Sequence, residues 1–134
     1  MSADRWIRVG GNWRRVPGDL AERLLGPWPD GLDAEFESNG CGPKKPLLDR
    51  LVPDVWRGYP LYIACHLHDW AYHVGGGVKD RMMADWYLGR NVATVAEYYG
   101  ATGVAGFLRR NALGTAYFLG VRVGGIFAWT WRRM

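Results

Sequence analysis

The sequence predicts a mainly α-helical fold in one domain, and three observations lead to this expectation. The chain has 134 residues, which suffice for one domain with a hydrophobic core and are few for two. Apolar residues make up 49% and charged residues 22% of it, a globular balance that excludes a disordered polyelectrolyte. From about residue 60 onward, apolar residues recur at three- and four-residue steps, the spacing of one helix face. Because the sequence contains neither a repeat nor a low-complexity linker, residues 1–134 are expected to form a single domain.

Short elements are expected before the helices. Residues 5–16 contain two short strand-like runs around a Gly-Gly-Asn turn, which predicts a β-hairpin. Residues 19–25 predict a short helix, because Asp19 and Glu22 have the spacing of a capping box and Gly26 would end it. The segment 26–60 holds six of the seven prolines and is expected to be loop.

The helix predicted at about residues 60–74, with Pro60 in its first turn, concentrates reactive side chains. Four of them lie at positions i, i+3, i+4 and i+7 and therefore share one face: Cys65, His68, Asp69 and Tyr72. Such a polar cluster is not favoured on a face that only packs against a core. The pattern therefore indicates a functional site. The alternative is a purely structural hydrogen-bond network of His68 with Asp69 or Tyr72.

A second helix is predicted at 78–99, after the turn formed by Gly75, Gly76 and Gly77. Its apolar stripe comprises Met82, Asp85, Leu88, Gly89, Val92, Ala96 and Tyr99, with Asp85 as the only charge. The short turn predicts antiparallel helices. Asp85 is then expected beside His68, where its carboxylate would orient the imidazole.

A last helical stretch is predicted at about 103–131. Its stripe comprises Leu113, Tyr117, Val121, Gly124, Ala128 and Trp131, which favours a helix that covers the preceding two or lies in an interface. The span 111–131 is long enough to cross a membrane. Arg122 at its middle would cost about 2.5–3.5 kcal/mol, so a true span is disfavoured.

The loop before the first long helix has the composition of a cation site. Residues 38–43 (Ser-Asn-Gly-Cys-Gly-Pro) are small and turn-prone, so backbone carbonyls can converge there. Together with the amide oxygen of Asn39 and a carboxylate such as Asp69, they are hard ligands that suit Ca²⁺. Cys41 and Cys65 are the two cysteines, and a disulfide between them would place this loop beside Asp69.

These motifs resemble the calcium-dependent secreted phospholipase A2 superfamily. The resemblance covers residues 36–99 and includes the loop Asn-Gly-Cys-Gly at 39–42, the helix motif Cys-x-x-His-Asp-x-x-Tyr at 65–72, and Asp85 on the next helix. It implies a phospholipase A2-like fold with two antiparallel catalytic helices, a calcium loop, a short N-terminal hairpin and a C-terminal helix. The sparse cysteines and the sequence around Asp85 are closest in style to the small bacterial, fungal and viral members.

The resemblance also implies roles for individual residues. His68 would be the general base that activates water to attack the sn-2 ester of a glycerophospholipid, Asp85 would orient it, and Tyr72 would add a hydrogen bond. The loop cysteine would pair with the cysteine three before the histidine. The implied calcium ligands are Asp69, the carbonyls of Gly40 and Gly42, and the side chain of Asn39; Pro-Lys-Lys-Pro at 43–46 replaces further glycines of larger members.

Two other functions stay open. One is a transition-metal site made of His66, His68, Asp69 and His73, although residues at i and i+2 point to different faces of a helix. The other is a catalytically weak or inactive protein of the same fold that binds membranes or has a structural role in a virion or particle.

The charge distribution suggests a membrane partner. Net charge is +4, and residues 101–134 hold five arginines among aromatic residues with neither Asp nor Glu. An anionic phospholipid surface is therefore the expected partner, and nucleic acid is not. The polar N-terminus shows no signal peptide, yet a disulfide persists outside the reducing cytosol. We therefore expect a secreted, extracytoplasmic or virion-associated protein with peripheral membrane contact.

Overall fold

The computed structural model describes residues 3–41, 53–125 and 129. It is a mixed α/β structure, 57% helical, with small sheets beside the helices. The elements in chain order are β1 (Arg5–Val9), β2 (Asn12–Val16), α1 (Gly18–Ala21), a 3-10 turn (Gly31–Asp33), β3 (Glu37–Ser38), β4 (Val55–Trp56), β5 (Tyr59–Pro60), α2 (Tyr62–Val74), α3 (Val78–Tyr98) and α4 (Gly103–Gly124).

The predicted N-terminal hairpin is confirmed. β1 and β2 are antiparallel with Arg5 opposite Val16, and Gly10 and Gly11 form the turn with φ values of 55° and 83°. Positive φ at both central residues matches the twist of the flanking strands. β3 adds a third strand parallel to β1, which the sequence analysis placed in a loop because two residues are too short to show a pattern.

The helix predicted at 19–25 is shorter than expected. α1 ends at Ala21, Pro17 occupies its N-cap, and no side chain caps it, so the proposed capping box of Asp19 and Glu22 is wrong. After the helix, Asn91 of α3 binds the backbone of Leu25, accepting from its N–H at 2.8 Å and donating to its carbonyl at 3.0 Å.

Pro60 is not in the first turn of α2, contrary to the prediction. It pairs with Val55 in the ladder of β4 and β5, whose turn is formed by Arg57 and Gly58 with φ values of 52° and 80°. This extended pairing delays the helix to Tyr62, whose N–H donates to the carbonyl of Asp54 at 3.0 Å.

α2 and α3 begin and end close to their predicted bounds and are antiparallel. Side-chain contacts run from His68 to Asp85 and from Tyr72 to Arg81, so the residue number rises on one helix as it falls on the other. The predicted stripe of α3 is buried over its central residues, from Asp85 to Ala96. Its predicted ends are wrong, since Met82 and Tyr99 are exposed.

α4 packs along α3. At their crossing, a Cβ built on Gly89 would lie 3.0 Å from the carbonyl oxygen of Gly114, so the absence of side chains lets the two backbones approach. Of the predicted α4 stripe, Leu113, Tyr117 and Val121 pack on the core, whereas Gly124 is exposed. Ala128 and Trp131 lie outside the described residues.

The last helix was predicted to end at about 131. It ends at Gly124 instead, with Gly125 as its C-cap. Among the described residues, none of the helices combines the length and the hydropathy that a membrane span needs.

The hydrophobic core lies between the hairpin, α1, α2 and α3. Its innermost members are nearly inaccessible to solvent: Val16, Leu20, Leu61, Ile63, Val92, Val95 and Ala96. The disulfide between Cys41 and Cys65 lies in this core. It attaches the loop that begins at residue 38 and contains Asn39 and Gly40, here called the glycine loop, to α2.

We expect the disulfide to contribute about 3 kcal/mol to the free energy of unfolding, because it closes a loop across a separation of 24 residues. Intact-mass measurement of the unreduced protein should detect no free thiol. Urea unfolding with and without reductant measures the contribution, with the double variant Cys41→Ala/Cys65→Ala as the control that reductant leaves unchanged. Two free thiols in the oxidised protein would contradict the pairing.

Candidate functional site

The site is organised around Asp85, whose side chain is 0% exposed. One carboxylate oxygen, Oδ1, lies 2.9 Å from His68 Nε2 and accepts a hydrogen bond from the Tyr72 hydroxyl at 2.6 Å. The structure thus brings together the three residues to which the resemblance gave catalytic or orienting roles. It does so because α2 and α3 are antiparallel and each places its polar residues on the facing side.

The second carboxylate oxygen has a cationic environment that the sequence analysis missed. Arg122 of α4 donates to Asp85 Oδ2 at 2.8 Å, and Arg81 Nε lies 3.9 Å from the same oxygen. Arg81 is buried and donates to the Tyr72 hydroxyl at 3.3 Å and to the carbonyls of Val121 and Arg122. The position of Arg81, four residues before Asp85 on one helix, was the available signal for it.

The electrostatics of the site keep Asp85 ionised. Burial alone would raise its pKa, but the hydrogen bonds from His68, Tyr72 and Arg122 and the attraction to His68 outweigh burial and hold the pKa below its ordinary value. Burial and the hydrogen bond to Asp85 raise the pKa of the Tyr72 phenol, which stays protonated as a donor. Facing an ionised carboxylate, His68 Nε2 is the nitrogen that donates, which leaves Nδ1 as the nitrogen able to accept a proton.

The C-terminal part of the chain closes the site on the Tyr72 side. Trp129 donates from its indole nitrogen to the carbonyl of Gly76 at 3.1 Å, and its ring meets that of Tyr72 edge-on at 4.9 Å. Gly125 faces the Tyr72 hydroxyl so closely that a Cβ there would collide with it. The last helix therefore packs along α3, and its C-terminal end together with Trp129 contacts Tyr72 of α2.

The glycine loop ends next to α2. Cys41 is joined to Cys65, one helical turn before Asp69, which is half-buried. Gly40 is buried with a φ of 86°, and Asn39 is exposed. Gly42 lies outside the described residues, as does the Pro-Lys-Lys-Pro segment at 43–46.

Asp54 is a carboxylate at this loop that the sequence analysis did not identify. It accepts from the backbone N–H of Cys41 at 2.7 Å, and a Cβ on Gly40 would lie 2.7 Å from the same oxygen. Glycine is needed at position 40 both for its positive φ and for this close approach. Asp54 therefore orders the backbone of the glycine loop.

The donor types near the loop suit a hard cation. The carboxylate of Asp69 and the carbonyl of Gly40 are oxygen ligands of the kind that Ca²⁺ prefers. Within residues 3–41, 53–125 and 129, no three His, Cys, Asp or Glu side chains are grouped so that they could hold a metal. A transition-metal centre of His66, His68, Asp69 and His73 is therefore not formed, whereas a calcium site of backbone carbonyls and one carboxylate would not require such a group.

His66 belongs to the core rather than to the site. It is 1% exposed, and its Nδ1 lies 2.7 Å from the hydroxyl of Ser38, which ties α2 to β3. Burial lowers the pKa of His66 to about 4. Because Ser38 is buried as well, this serine and histidine form a hydrogen bond inside the core.

His66 should make the protein less stable in weak acid. Between its folded pKa of about 4 and the ordinary 6.5, the unfolded state binds the additional proton, so stability falls as the pH drops from 6.5 to 4. We expect a loss of about 2 kcal/mol by pH 5, measured by urea unfolding at pH 7 and pH 5. The difference should shrink in His66→Gln and persist in His73→Gln, which changes an exposed histidine of the same helix. Equal pH dependence in both variants would contradict it.

Comparison with known proteins found no matching family model, no matching curated protein and no matching solved structure.

Proposed function

We propose that the protein is a calcium-dependent, phospholipase A2-like hydrolase that cleaves the sn-2 ester of glycerophospholipids. One observation carries the proposal: His68 is bonded through Nε2 to a buried, ionised carboxylate, and the next residue in the chain, Asp69, is a half-buried carboxylate one turn from a disulfide-anchored glycine loop. Hydrolysis by activated water needs a general base and a cation that stabilises the developing charge, and these two residues would serve the one and hold the other.

The residues of the chain divide the reaction among them. His68 takes a proton from water at Nδ1, while its Nε2–H continues to donate to Asp85. Asp85 holds the ring in place and stabilises the imidazolium that forms, without becoming protonated itself. Tyr72 donates to the same oxygen as His68 and limits the rotation of the carboxylate. The resemblance includes no serine nucleophile, and the proposed reaction forms no acyl-enzyme.

Calcium would be held by Asp69 and the carbonyl of Gly40, with Gly42 and Asn39 as the further ligands implied by the resemblance. When bound, Ca²⁺ would supply positive charge that stabilises the negative charge developing during ester hydrolysis. The carbonyls depend on the loop geometry that Asp54 and the disulfide order.

The test is the release of fatty acid from phosphatidylglycerol vesicles with calcium and with a chelator. We expect release that requires calcium. Vesicle binding without any release at either calcium level would contradict the proposal and favour the alternative, a membrane-binding or particle-structural protein of this fold.

We also propose an anionic membrane as partner, for a protein that acts outside the reducing cytosol, in a secreted, extracytoplasmic or virion-associated form. Three of the tail arginines have internal partners, since Arg109 donates to the Tyr59 hydroxyl, Arg110 pairs with Glu97, and Arg122 pairs with Asp85. The outer face of α4 supports contact with a membrane instead, because large apolar side chains are exposed on it: Val104, Phe107, Leu108, Leu119 and Val123.

Vesicle binding is expected to strengthen with anionic lipid and to weaken with salt. Leu119→Glu on α4 should weaken binding, measured by vesicle sedimentation. Leu32→Glu, at a leucine of the 3-10 turn that is even more exposed than Leu119, should not. Arg132→Ser/Arg133→Ser, in residues outside those described, should reduce binding and leave hydrolysis of a short-chain monomeric substrate intact. Equal binding to neutral and anionic vesicles at low salt would contradict the electrostatic part.

A further inference from the structure

The carboxylate of Asp85 divides its hydrogen bonds between two helices. Oδ1 serves His68 and Tyr72 of α2, while Oδ2 accepts from Arg122 of α4 at 2.8 Å. α4 lies outside the region of the resemblance to phospholipase A2, which ends at residue 99. The contact therefore belongs to this chain's own arrangement.

We propose that Arg122 is a positioning residue for the pair of His68 and Asp85, which makes α4 a structural part of the reacting site. The inference rests on the proposed hydrolase function. A carboxylate held on one oxygen alone can rotate about its Cβ–Cγ bond, whereas a donor on each oxygen fixes its plane. With Arg122 on Oδ2, Oδ1 is kept where His68 Nε2 can donate to it.

Arg81 does not take over this role. Its Nε lies 3.9 Å from Asp85 Oδ2, beyond hydrogen-bond distance, and its guanidinium is committed to the Tyr72 hydroxyl and to the carbonyls of Val121 and Arg122. Arg81 thus adds positive charge and holds the end of α4 against the site, while Arg122 supplies the direct bond.

Loss of Arg122 would leave Oδ2 buried without that donor. The carboxylate would turn toward Arg81 or take up water, and either change displaces Oδ1 from His68. Groups that orient a reactive side chain through a hydrogen bond typically change activity by about 10–100-fold when removed. KM should be unaffected, because Arg122 acts through Asp85 rather than on the lipid.

The kinetic experiment compares three variants on a short-chain monomeric phospholipid with saturating calcium. Arg122→Met, which keeps the apolar stem, should lower kcat by about 10–100-fold with KM within about twofold of wild type. Arg122→Lys, which retains the charge, should recover most of the loss. Arg109→Met is the matched control on the same helix, since Arg109 binds the Tyr59 hydroxyl, and should match wild type.

A second measurement separates positioning from activity. The proton shared between His68 Nε2 and Asp85 should give a downfield NMR signal in the resting protein, assigned by its loss in His68→Ala. We expect this signal to move or broaden in Arg122→Met and to be retained in Arg109→Met. If Arg122→Met does not fold, Arg122→Gln, which keeps a polar end, replaces it in both experiments.

The outcomes are distinguishable. An unchanged NMR signal in folded Arg122→Met overturns the inference, as does a kcat within about threefold of that of an active wild type. If the wild-type protein releases no fatty acid, the proposed function fails, and the NMR signal still decides whether Arg122 positions the pair.

Discussion

Replacing His68 with alanine is expected to abolish calcium-dependent release of fatty acid. The imidazole is the proposed proton acceptor, and general-base contributions of about 10²–10⁴-fold are typical. The fold should survive, because Asp85 keeps Tyr72 and Arg122 as partners when the ring is removed. Initial rates on phosphatidylglycerol vesicles, together with a circular dichroism spectrum like that of wild type, measure the effect.

His73→Ala is the matched control, since it removes an exposed histidine from the same helix. It should retain wild-type rates. Asp69→Ala should also abolish release, chiefly through loss of calcium, and isothermal titration with calcium would separate this cause from that in His68→Ala. Near-normal hydrolysis by His68→Ala would show that the proposed mechanism is wrong.

Asp85→Ala is expected to have the largest effect on stability among these changes. It removes the counter-charge of Arg122 and of the buried Arg81. Breaking a buried ion pair by removing one partner costs about 3–5 kcal/mol, because the remaining charge is left desolvated. Urea unfolding at neutral pH measures the loss of free energy.

Glu97→Ala provides the comparison for Asp85→Ala. Glu97 lies on the same helix and also pairs with two arginines, Arg23 and Arg110, but in a half-buried surface position. Its loss should cost under about 1 kcal/mol. Adding Arg122→Met to Asp85→Ala should restore part of the stability, since one uncompensated charge is then removed. Similar costs for the two single alanine variants would contradict a buried charge cluster.

The Asp85→Ala variant also has an expected effect on catalysis. Asp85→Ala should retain weak hydrolysis, because the orientation of His68 is lost while the base remains. Activity is compared under conditions in which the variant is folded.

The contact between His68 and Asp85 could be predicted because its signal is local. Asp85 is the single charge on the predicted apolar stripe of α3. Because a turn of only three residues separates α3 from α2, the partner of this charge is expected on the facing side of α2. Arg122 could not be found in this way, because it lies 37 residues from Asp85 and the acid-free tail around it resembled a membrane-binding segment.

Other failures have equally physical causes. β3, β4 and β5 have two residues each, too few to show an alternating pattern. The chain after α1 is bound by Asn91, which contacts the Leu25 backbone from 66 positions away. Local propensity cannot show such a tertiary hydrogen bond.

The close approach of Gly89 on α3 and Gly114 on α4 fixes the position of α4 along the axis of α3. Neither glycine has a side chain, so the two backbones are in contact at this point. If α4 moved along α3 by one turn, about 5.4 Å, an α4 residue with a side chain would have to fit against Gly89. Arg122 lies about two helical turns after Gly114 and is opposite Asp85 only in this register. One residue inserted between 114 and 122 would rotate Arg122 by about 100° and disconnect it from the carboxylate, although every residue of the site would still be present.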